Sequence, residues 1–361
     1  MLKRYRYLCP SIFNGFMKFS RQIYLIISMM FGVFLVSSCN WFSKDKTAGT
    51  ELKNSDTIQL KIEELTKKIE KRSSNYKLYF DRAKLYDASN KPMLAMKDMQ
   101  MLIRQDSVNP TYWNYLGDIY LKSGSAKGAL SCFQKSTFYN PQDDYAFMKM
   151  GEIYMYVQNR DKSFENLNEA LRINKYNPKI YFFKGINYLE MKDTAKAISS
   201  FQTAIGILPG YFDAYMNLGI IYAAKRNKKA ITYYENALKI KDNSIEVLYD
   251  LGKFYQDIDS FDKAIIEYNK ILSQVPDHKN TNYNLGFIYY IRADFNKAIQ
   301  FFSTAISKQP DYTDAYYGRG LCYKQTGKSD LAEKDFIRVL QLNAGYKLAE
   351  KELKKMKKKH K

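Results

Sequence analysis

The sequence predicts an all-α solenoid of about eight helix-turn-helix repeats with capping helices, and three recurring positions predict it. A small residue (Ala83, Gly117, Gly151, Gly185, Gly219, Gly252, Gly286, Gly320) returns at steps of 34 residues, with one step of 33 between Gly219 and Gly252. Three residues after each stands a Tyr: Tyr86, Tyr120, Tyr154, Tyr188, Tyr222, Tyr255, Tyr289 and Tyr323. Further on comes a second small residue (Ala95, Ala129, Ser163, Ala197, Ala230, Ala264, Ala298, Ala332). A large one follows it four positions later (Met99, Phe133, Leu167, Phe201, Tyr234, Tyr268, Phe302, Phe336). Offsets of three and four share one helical face, so each unit reads as two amphipathic helices joined by a short polar turn.

In chain order, residues 1–38 read as a signal peptide. Lys3, Arg4, Arg6, Lys18 and Arg21 precede a 14-residue apolar run, Ile23 to Val36, with no acidic residue among them. A membrane span needs about 20 apolar residues, so this length fits the core of a cleaved leader. Val36-Ser37-Ser38-Cys39 resembles the lipobox of bacterial lipoproteins, which implies cleavage before Cys39 and a lipid on its thiol. Met17-Lys18-Phe19-Ser20-Arg21 makes a compact leader start by itself, and a start there would leave out Cys9. Residues 39–56 are polar and unpatterned, which predicts a flexible tether. Ile58, Ile62, Leu65 and Ile69 fall at helical spacing and predict a capping helix within 57–75.

The repeats occupy 76–346. No unit can bury its apolar face alone, so stacking supplies the core, while Gly or Ala lets the two helices of a unit approach and Tyr or Phe fills the space beside it. Turns fall at segments such as Asn159-Arg160-Asp161 and Asp257-Ile258-Asp259, and Pro141, Pro209, Pro276 and Pro310 close four units. Period and residues resemble the tetratricopeptide-repeat (TPR) family, which implies a right-handed α-solenoid. Leu248 and Asn282 depart from the family's aromatic, present here as Trp113, and Arg82, Lys184 and Arg319 replace its Leu. Leu348, Leu353 and Met356 mark a basic C-terminal helix and tail over 347–361 that solvates the last repeat.

Charge and composition exclude several functions. The formal charge of +20 would raise nucleic acid as a partner. Loss of the leader lowers it to +15, and an exported lipoprotein does not meet nucleic acid, so the basic residues solvate a face or touch anionic headgroups. Only His278 and His360 are present, without metal-ligand spacing. Gly327-Lys328-Ser329 resembles the end of a phosphate-binding loop, but Cys322 stands where that loop needs a Gly, and the tripeptide falls in an inter-helix turn. Gly124 and Gly128 read as turn residues in the same way. Cys132 and Cys322 read as small core residues rather than a disulfide, and Asp118 and Glu152 as a solvated face. No catalytic residue, metal, cofactor or small-molecule substrate is expected.

The family resemblance implies peptide binding along the face lined by the first helix of each unit. Residues three before and one after each repeated small residue belong there. Tyr249, Tyr283, Phe182, Met216 and Tyr317 come from the first set, and Ile186, Ile220, Phe287 and Leu321 from the second. The last four replace the family's usual polar residue, and the inner face is then either an exposed apolar groove or core packed against the neighbouring first helix. Asn217 and Asn284 match a family Asn that can bond an extended peptide backbone. The expected function is a non-enzymatic protein-interaction scaffold or adaptor in the bacterial envelope, similar to TPR lipoproteins of Bacteroidetes-type bacteria. The alternative is a substrate-presenting accessory subunit of an envelope hydrolase or transferase. Asn40, where an Asp would favour the inner membrane, points to the outer membrane, and the lack of an acidic cluster after Cys39 to a periplasm-facing orientation.

Overall fold

The computed structural model describes residues 48–72 and 74–359; the leader and Cys39 lie outside the described residues. Among the described residues there are 18 helices and no strand. They fall into two compact units that part between Pro209 and Gly210.

The N-terminal unit opens on α1 (Ala48–Lys71). That helix begins nine residues before Thr57, the expected start, and takes in residues 48–56 of the expected tether. No Pro interrupts this stretch, and Ala48, Glu51, Leu52 and Lys53 favour helix. Ile62 and Ile69 are buried on the predicted face. Four helix pairs follow: α2 (Tyr76–Ala88) with α3 (Pro92–Gln105), α4 (Pro110–Lys122) with α5 (Ala126–Tyr139), α6 (Asp144–Tyr156) with α7 (Arg160–Ile173), and α8 (Pro178–Glu190) with α9 (Thr194–Ile207). The C-terminal unit holds four more: α10 (Phe212–Ala224) with α11 (Lys229–Ile240), α12 (Ile245–Asp257) with α13 (Phe261–Gln274), α14 (Lys279–Ile291) with α15 (Phe295–Lys308), and α16 (Thr313–Gln325) with α17 (Ser329–Leu342). It closes on α18 (Lys347–Lys359), which covers the last pair with Leu348, Leu353 and Met356 and buries Ala349.

The repeated Gly is a contact requirement. A Cβ at Gly185 would stand 2.6 Å from the Phe201 ring, at Gly252 2.7 Å from Tyr268, and at Gly320 2.8 Å from Phe336. Leu167 takes the ring's place beside Gly151 in α6/α7, also at 2.6 Å. The first repeat keeps Ala83, and there the unbranched Met99 lies opposite in the same core cluster. Gly128 is helical, in the first turn of α5, and is not a turn residue: a Cβ there would meet the Tyr120 ring at 2.8 Å.

The repeated Tyr has a backbone task as well. Its carbonyl accepts the N–H five residues on, as in Ser125→Tyr120 at 2.8 Å, Asp193→Tyr188 at 2.9 Å and Asp294→Tyr289 at 3.0 Å. This closes the first helix of each pair as a Schellman turn, which puts one residue in the left-handed region. Those residues are Asn90, Gly124, Gln158, Lys192, Arg226, Asp259, Ala293 and Gly327, with φ between 51° and 78°. The Gly327-Lys328-Ser329 tripeptide is therefore turn chemistry, as expected. The 33-residue unit loses its residue here: Ala230 follows Arg226 by four positions, where Ala197 follows Lys192 by five. Ala293 is exposed and has no side-chain compensation at φ 59°. Left-handed backbone costs an L-residue roughly 1–2 kcal/mol. Ala293→Gly should therefore raise the thermal midpoint by about 2–4 °C, read by circular dichroism; a lower midpoint would show the turn to be unstrained.

The departures from the family pattern find partners. Arg82 makes paired hydrogen bonds to Asp98 at 2.7 and 2.8 Å and reaches Thr66 at 3.0 Å. Arg319 repeats this with Asp335, both bonds 2.8 Å, and Ser303 at 3.1 Å. Each guanidinium also lies against two tyrosine rings, Tyr79 and Tyr86 or Tyr316 and Tyr323. Lys184 reaches Asn168 at 2.8 Å. Asn282, nearly fully buried, donates to the carbonyls of Pro276 and His278. Cys132 and Cys322 are free, buried thiols, each pushed up to about 12 by desolvation, so neither is a reactive thiolate. No helix among the described residues is long and apolar enough to cross a membrane.

Candidate functional site

First helices of consecutive repeats touch one another, α6 with α8 in the N-terminal unit and α10 with α12, α12 with α14 and α14 with α16 in the C-terminal one. The residues expected to line a groove sit along this line of first helices. In the N-terminal unit, Phe182 is half-buried, its ring 5.8 Å from that of Phe183 and 5.6 Å from that of Phe201. Ile186 packs partly against the cluster of Met148, Met155 and Phe183.

The charged residues of this face satisfy one another. The Tyr145 hydroxyl lies 2.8 and 2.7 Å from the two oxygens of Asp118, Lys149 pairs with Glu152 at 2.9 Å, and Tyr115 and Lys122 both bond Asp87. Asp118 and Glu152 are thus half-buried members of a bonded network and not a plain solvated face. Burial holds the Asp118 carboxyl above its ordinary value although Tyr145 and Lys149 favour the anion, and Glu152 adds to the upward push.

In the C-terminal unit the expected exposed groove does not hold for four residues. Met216 (5% exposed), Tyr317 (4%), Leu321 (8%) and Asn284 (8%) are buried. Met216 belongs to the core around Tyr234 and Leu248; Tyr317 packs against Phe336 and Tyr346; Leu321 lies in the same cluster. The second-helix rings of Tyr234, Tyr268 and Phe336 and the element that follows draw these side chains into the core. Ile220, Tyr249, Tyr283 and Phe287 remain half-buried, as does Asn217, whose amide donates to the Asp213 carbonyl at 2.8 Å. Tyr283 stacks on Tyr312 with centroids 5.0 Å apart.

Two residues not foreseen as site residues, Gln256 and Tyr268, join the buried Asn284. Its amide nitrogen donates to the Tyr249 hydroxyl at 3.3 Å and the Tyr268 hydroxyl at 3.0 Å, and Tyr268 bonds Gln256 at 3.1 Å. His278 caps α14, its Nδ1 accepting the Thr281 N–H, with its ring edge-on to Tyr249 at 5.9 Å. Burial, then the neighbouring Lys279, lowers its pKa, against the pull of Asp277.

The other unforeseen residues lie on α12. Glu246, Asp250, Lys253 and Asp257 occupy positions i, i+4, i+7 and i+11, which share one face. Burial, then the neighbouring Glu246, push the Asp250 carboxyl up to about 6 against the pull of Lys253. Asp257 reaches solvent, but the surrounding protein also raises its carboxyl, with Lys253 and Arg226 opposing. Neither owes any stabilisation to a hydrogen bond, in contrast to Asp118. Asp250, held from water without a hydrogen bond among the described residues, is costly to ionise, which makes it a candidate member of a binding surface. The helical register would have found both acids; the scan for apolar replacements passed over charged positions.

The repeated Tyr meets a Lys on the second helix of five consecutive units: Lys162 over Tyr154 (5.4 Å), Lys196 over Tyr188 (5.5 Å), Lys229 over Tyr222 (5.8 Å), Lys263 over Tyr255 (5.5 Å) and Lys297 over Tyr289 (5.1 Å). These exposed lysines account for part of the basic balance. Among the described residues no group of His, Cys, Asp or Glu is placed to hold a metal ion.

Family models described as tetratricopeptide repeat match residues 80–144, 182–245, 245–278 and 313–346, together just over half of the chain. The chain is 25% identical over 173 residues to anaphase-promoting complex subunit 3 of Schizosaccharomyces pombe, covering 48% of this chain and 26% of that protein. It is 23% identical over 170 residues to a TPR repeat-containing protein of Methanocaldococcus jannaschii, covering 46% and 30%. It spans less than a third of the length of either relative. A solved structure of Pseudomonas aeruginosa PilF superposes with a TM-score of 0.50 at 16% identity over 58% of this chain and 96% of that one, a likeness of fold.

Proposed function

This chain belongs to the tetratricopeptide-repeat family, and on that premise we propose that it is a non-enzymatic protein-interaction scaffold or adaptor. Its first helices hold a partner segment of another protein. The observation that carries this reading is the inner face of the C-terminal unit. There Ile220 and Phe287 keep part of their apolar surface uncovered, and Asp250 and Asp257 of α12 have no hydrogen-bond partner among the described residues. Apolar surface grouped with such carboxylates on one face is what a binding surface presents.

A photocrosslinking amino acid tests the reading in intact cells. Placed at Phe287, on the inner face, it should give discrete adducts of higher mass. Placed at Ile266, a 54% exposed residue of α13, it should give none of the same species. Equal adducts from both positions would sink the reading, because a specific groove cannot label the second-helix surface.

The reading extends to an anchor in the bacterial envelope through a lipid on Cys39, most consistent with a periplasm-facing outer-membrane lipoprotein. Its support is the order of basic, apolar and small residues before Cys39. Labelled palmitate should enter the wild-type chain and not Cys39→Ala, which should accumulate as an unlipidated, mislocalised precursor. Label in Cys39→Ala would refute the lipid anchor without touching the scaffold reading.

A further inference from the structure

The occupant of the inner face of α10, α12 and α14 can be narrowed by charge. The chain as a whole is strongly basic, +20, and its exposed second-helix lysines Lys229, Lys263 and Lys297 contribute to that. The inner face runs the other way. α12 presents Glu246, Asp250 and Asp257 against Lys253, and Asp213 of α10 lies at the register of Glu246 one repeat earlier. One register row holds Asn217, Asp250 and Asn284 from α10, α12 and α14; the next holds Ile220, Lys253 and Phe287. A carboxylate therefore stands between two carboxamides, and a charged stem between two apolar side chains.

The carboxamides point to a hydrogen-bonding ligand independently of the charge. Asn284 is 8% exposed and spends its amide nitrogen on Tyr249 and Tyr268. Among the described residues its carbonyl oxygen accepts no hydrogen bond. That oxygen is not among the fully buried atoms left without a partner, so a donor from outside can reach it. The backbone N–H of an extended segment is such a donor, and a carboxylate one helix away prefers a cation. In the N-terminal unit the acid Asp118, which stands at the register of Lys253, is already closed by Tyr145.

We propose that the inner face of the C-terminal unit takes an extended peptide segment carrying Lys or Arg, with the cation on the α12 carboxylates Asp250 and Asp257 and flanking apolar side chains on Ile220 and Phe287. The proposal rests on the scaffold reading and adds the chemical class of the partner. It also runs against the long-range field of the molecule, which favours acidic ligands, so the preference must come from local contacts that salt screens incompletely.

The test is selection of a phage-displayed random dodecapeptide library on the purified full-length chain at about 0.15 M salt, where charges farther apart than roughly 8 Å are largely screened. Three baits are compared: wild type, Asp250→Asn/Asp257→Asn, and Ile220→Ser/Phe287→Ser. The wild type should enrich sequences that combine Lys or Arg with apolar residues. A synthetic copy of the leading sequence should bind the Asn variant about tenfold more weakly, the loss expected for charge-assisted contacts. Enrichment of acidic or purely apolar peptides, abolished in the Ser variant, would overturn the cationic class and leave the groove standing. The same peptides recovered from wild type and the Ser variant alike would overturn the groove reading itself. Circular dichroism verifies that each bait is folded. Should the double Asn variant not fold, the exposed Asp257→Asn replaces it, with a smaller drop of about threefold expected and none contradicting the proposal.

Discussion

Asp335→Ala should destabilise the C-terminal unit by about 3–5 kcal/mol, among the largest effects of any single polar substitution in the chain. Asp335 is 5% exposed and takes both guanidinium bonds of Arg319. The Arg319 side chain is 18% exposed, lies between the rings of Tyr316 and Tyr323, and bonds Ser303. Burial disfavours the Arg319 cation, and the bonds to Asp335 more than offset this, so its pKa lies above the ordinary value. Removing the carboxylate leaves a buried cation without its counter-charge. The contrast that identifies the mechanism is Arg319→Leu/Asp335→Leu, which restores the family's apolar residue at one position. It should be close to neutral, because both desolvation costs disappear together. Urea denaturation followed at 222 nm separates the two. A loss below about 1 kcal/mol for Asp335→Ala would mean that the pair behaves as a solvated surface bridge. Arg82 and Asp98 offer an independent copy of the experiment in the N-terminal unit.

Phe302→Ala should cost a similar amount, about 3–5 kcal/mol, for an unrelated reason. The Phe302 ring is 2% exposed and is wedged between two glycines: a Cβ at Gly286 would meet it at 2.8 Å and at Gly318 at 2.6 Å. Truncation leaves a cavity that the two backbones cannot close, since each is held by its own helix. Phe302→Leu copies the Gly151–Leu167 arrangement of an earlier repeat and should cost less than about 1.5 kcal/mol. In a stack whose stability is close to a sum over neighbours, the loss should appear first as faster hydrogen exchange in α14, α15 and α16. Uniform loss of protection across the whole C-terminal unit would instead show that its repeats unfold as one block.

Both substitutions act on positions that repeat period marks out, and their legibility differs. Phe302 follows from the pattern: a large residue recurs at its place in every unit and a Gly faces it. Arg319 is visible in the sequence only as a departure. Its partner Asp335 lies on the second helix of the same unit, and only the packed pair shows that Arg319 and Asp335 act as one device. The groove divides similarly. The register of Phe182, Ile186, Ile220 and Phe287 on first helices follows from the 34-residue repeat. The burial of Met216, Tyr317, Leu321 and Asn284 does not, since it depends on how the second helices and the following element pack against them. Gly128, placed in a turn from its neighbours, is helical because Gly124 already supplies the left-handed residue of that turn.

The sequence by itself determined the repeat length, the pairing of helices and the small-against-large contact inside each unit. Those rest on local periodicity and on contacts between residues a fixed distance apart, which a one-dimensional pattern encodes. Only the tertiary structure decided which inner-face side chains the stack consumes and which it leaves over. It closed Asp118 with Tyr145 and left Asp250 on α12 without a hydrogen bond among the described residues, its carboxyl pushed up to about 6. The same residue type at the same repeat face has two fates because desolvation and partnering depend on the neighbouring helix, and no pattern within one repeat carries that information.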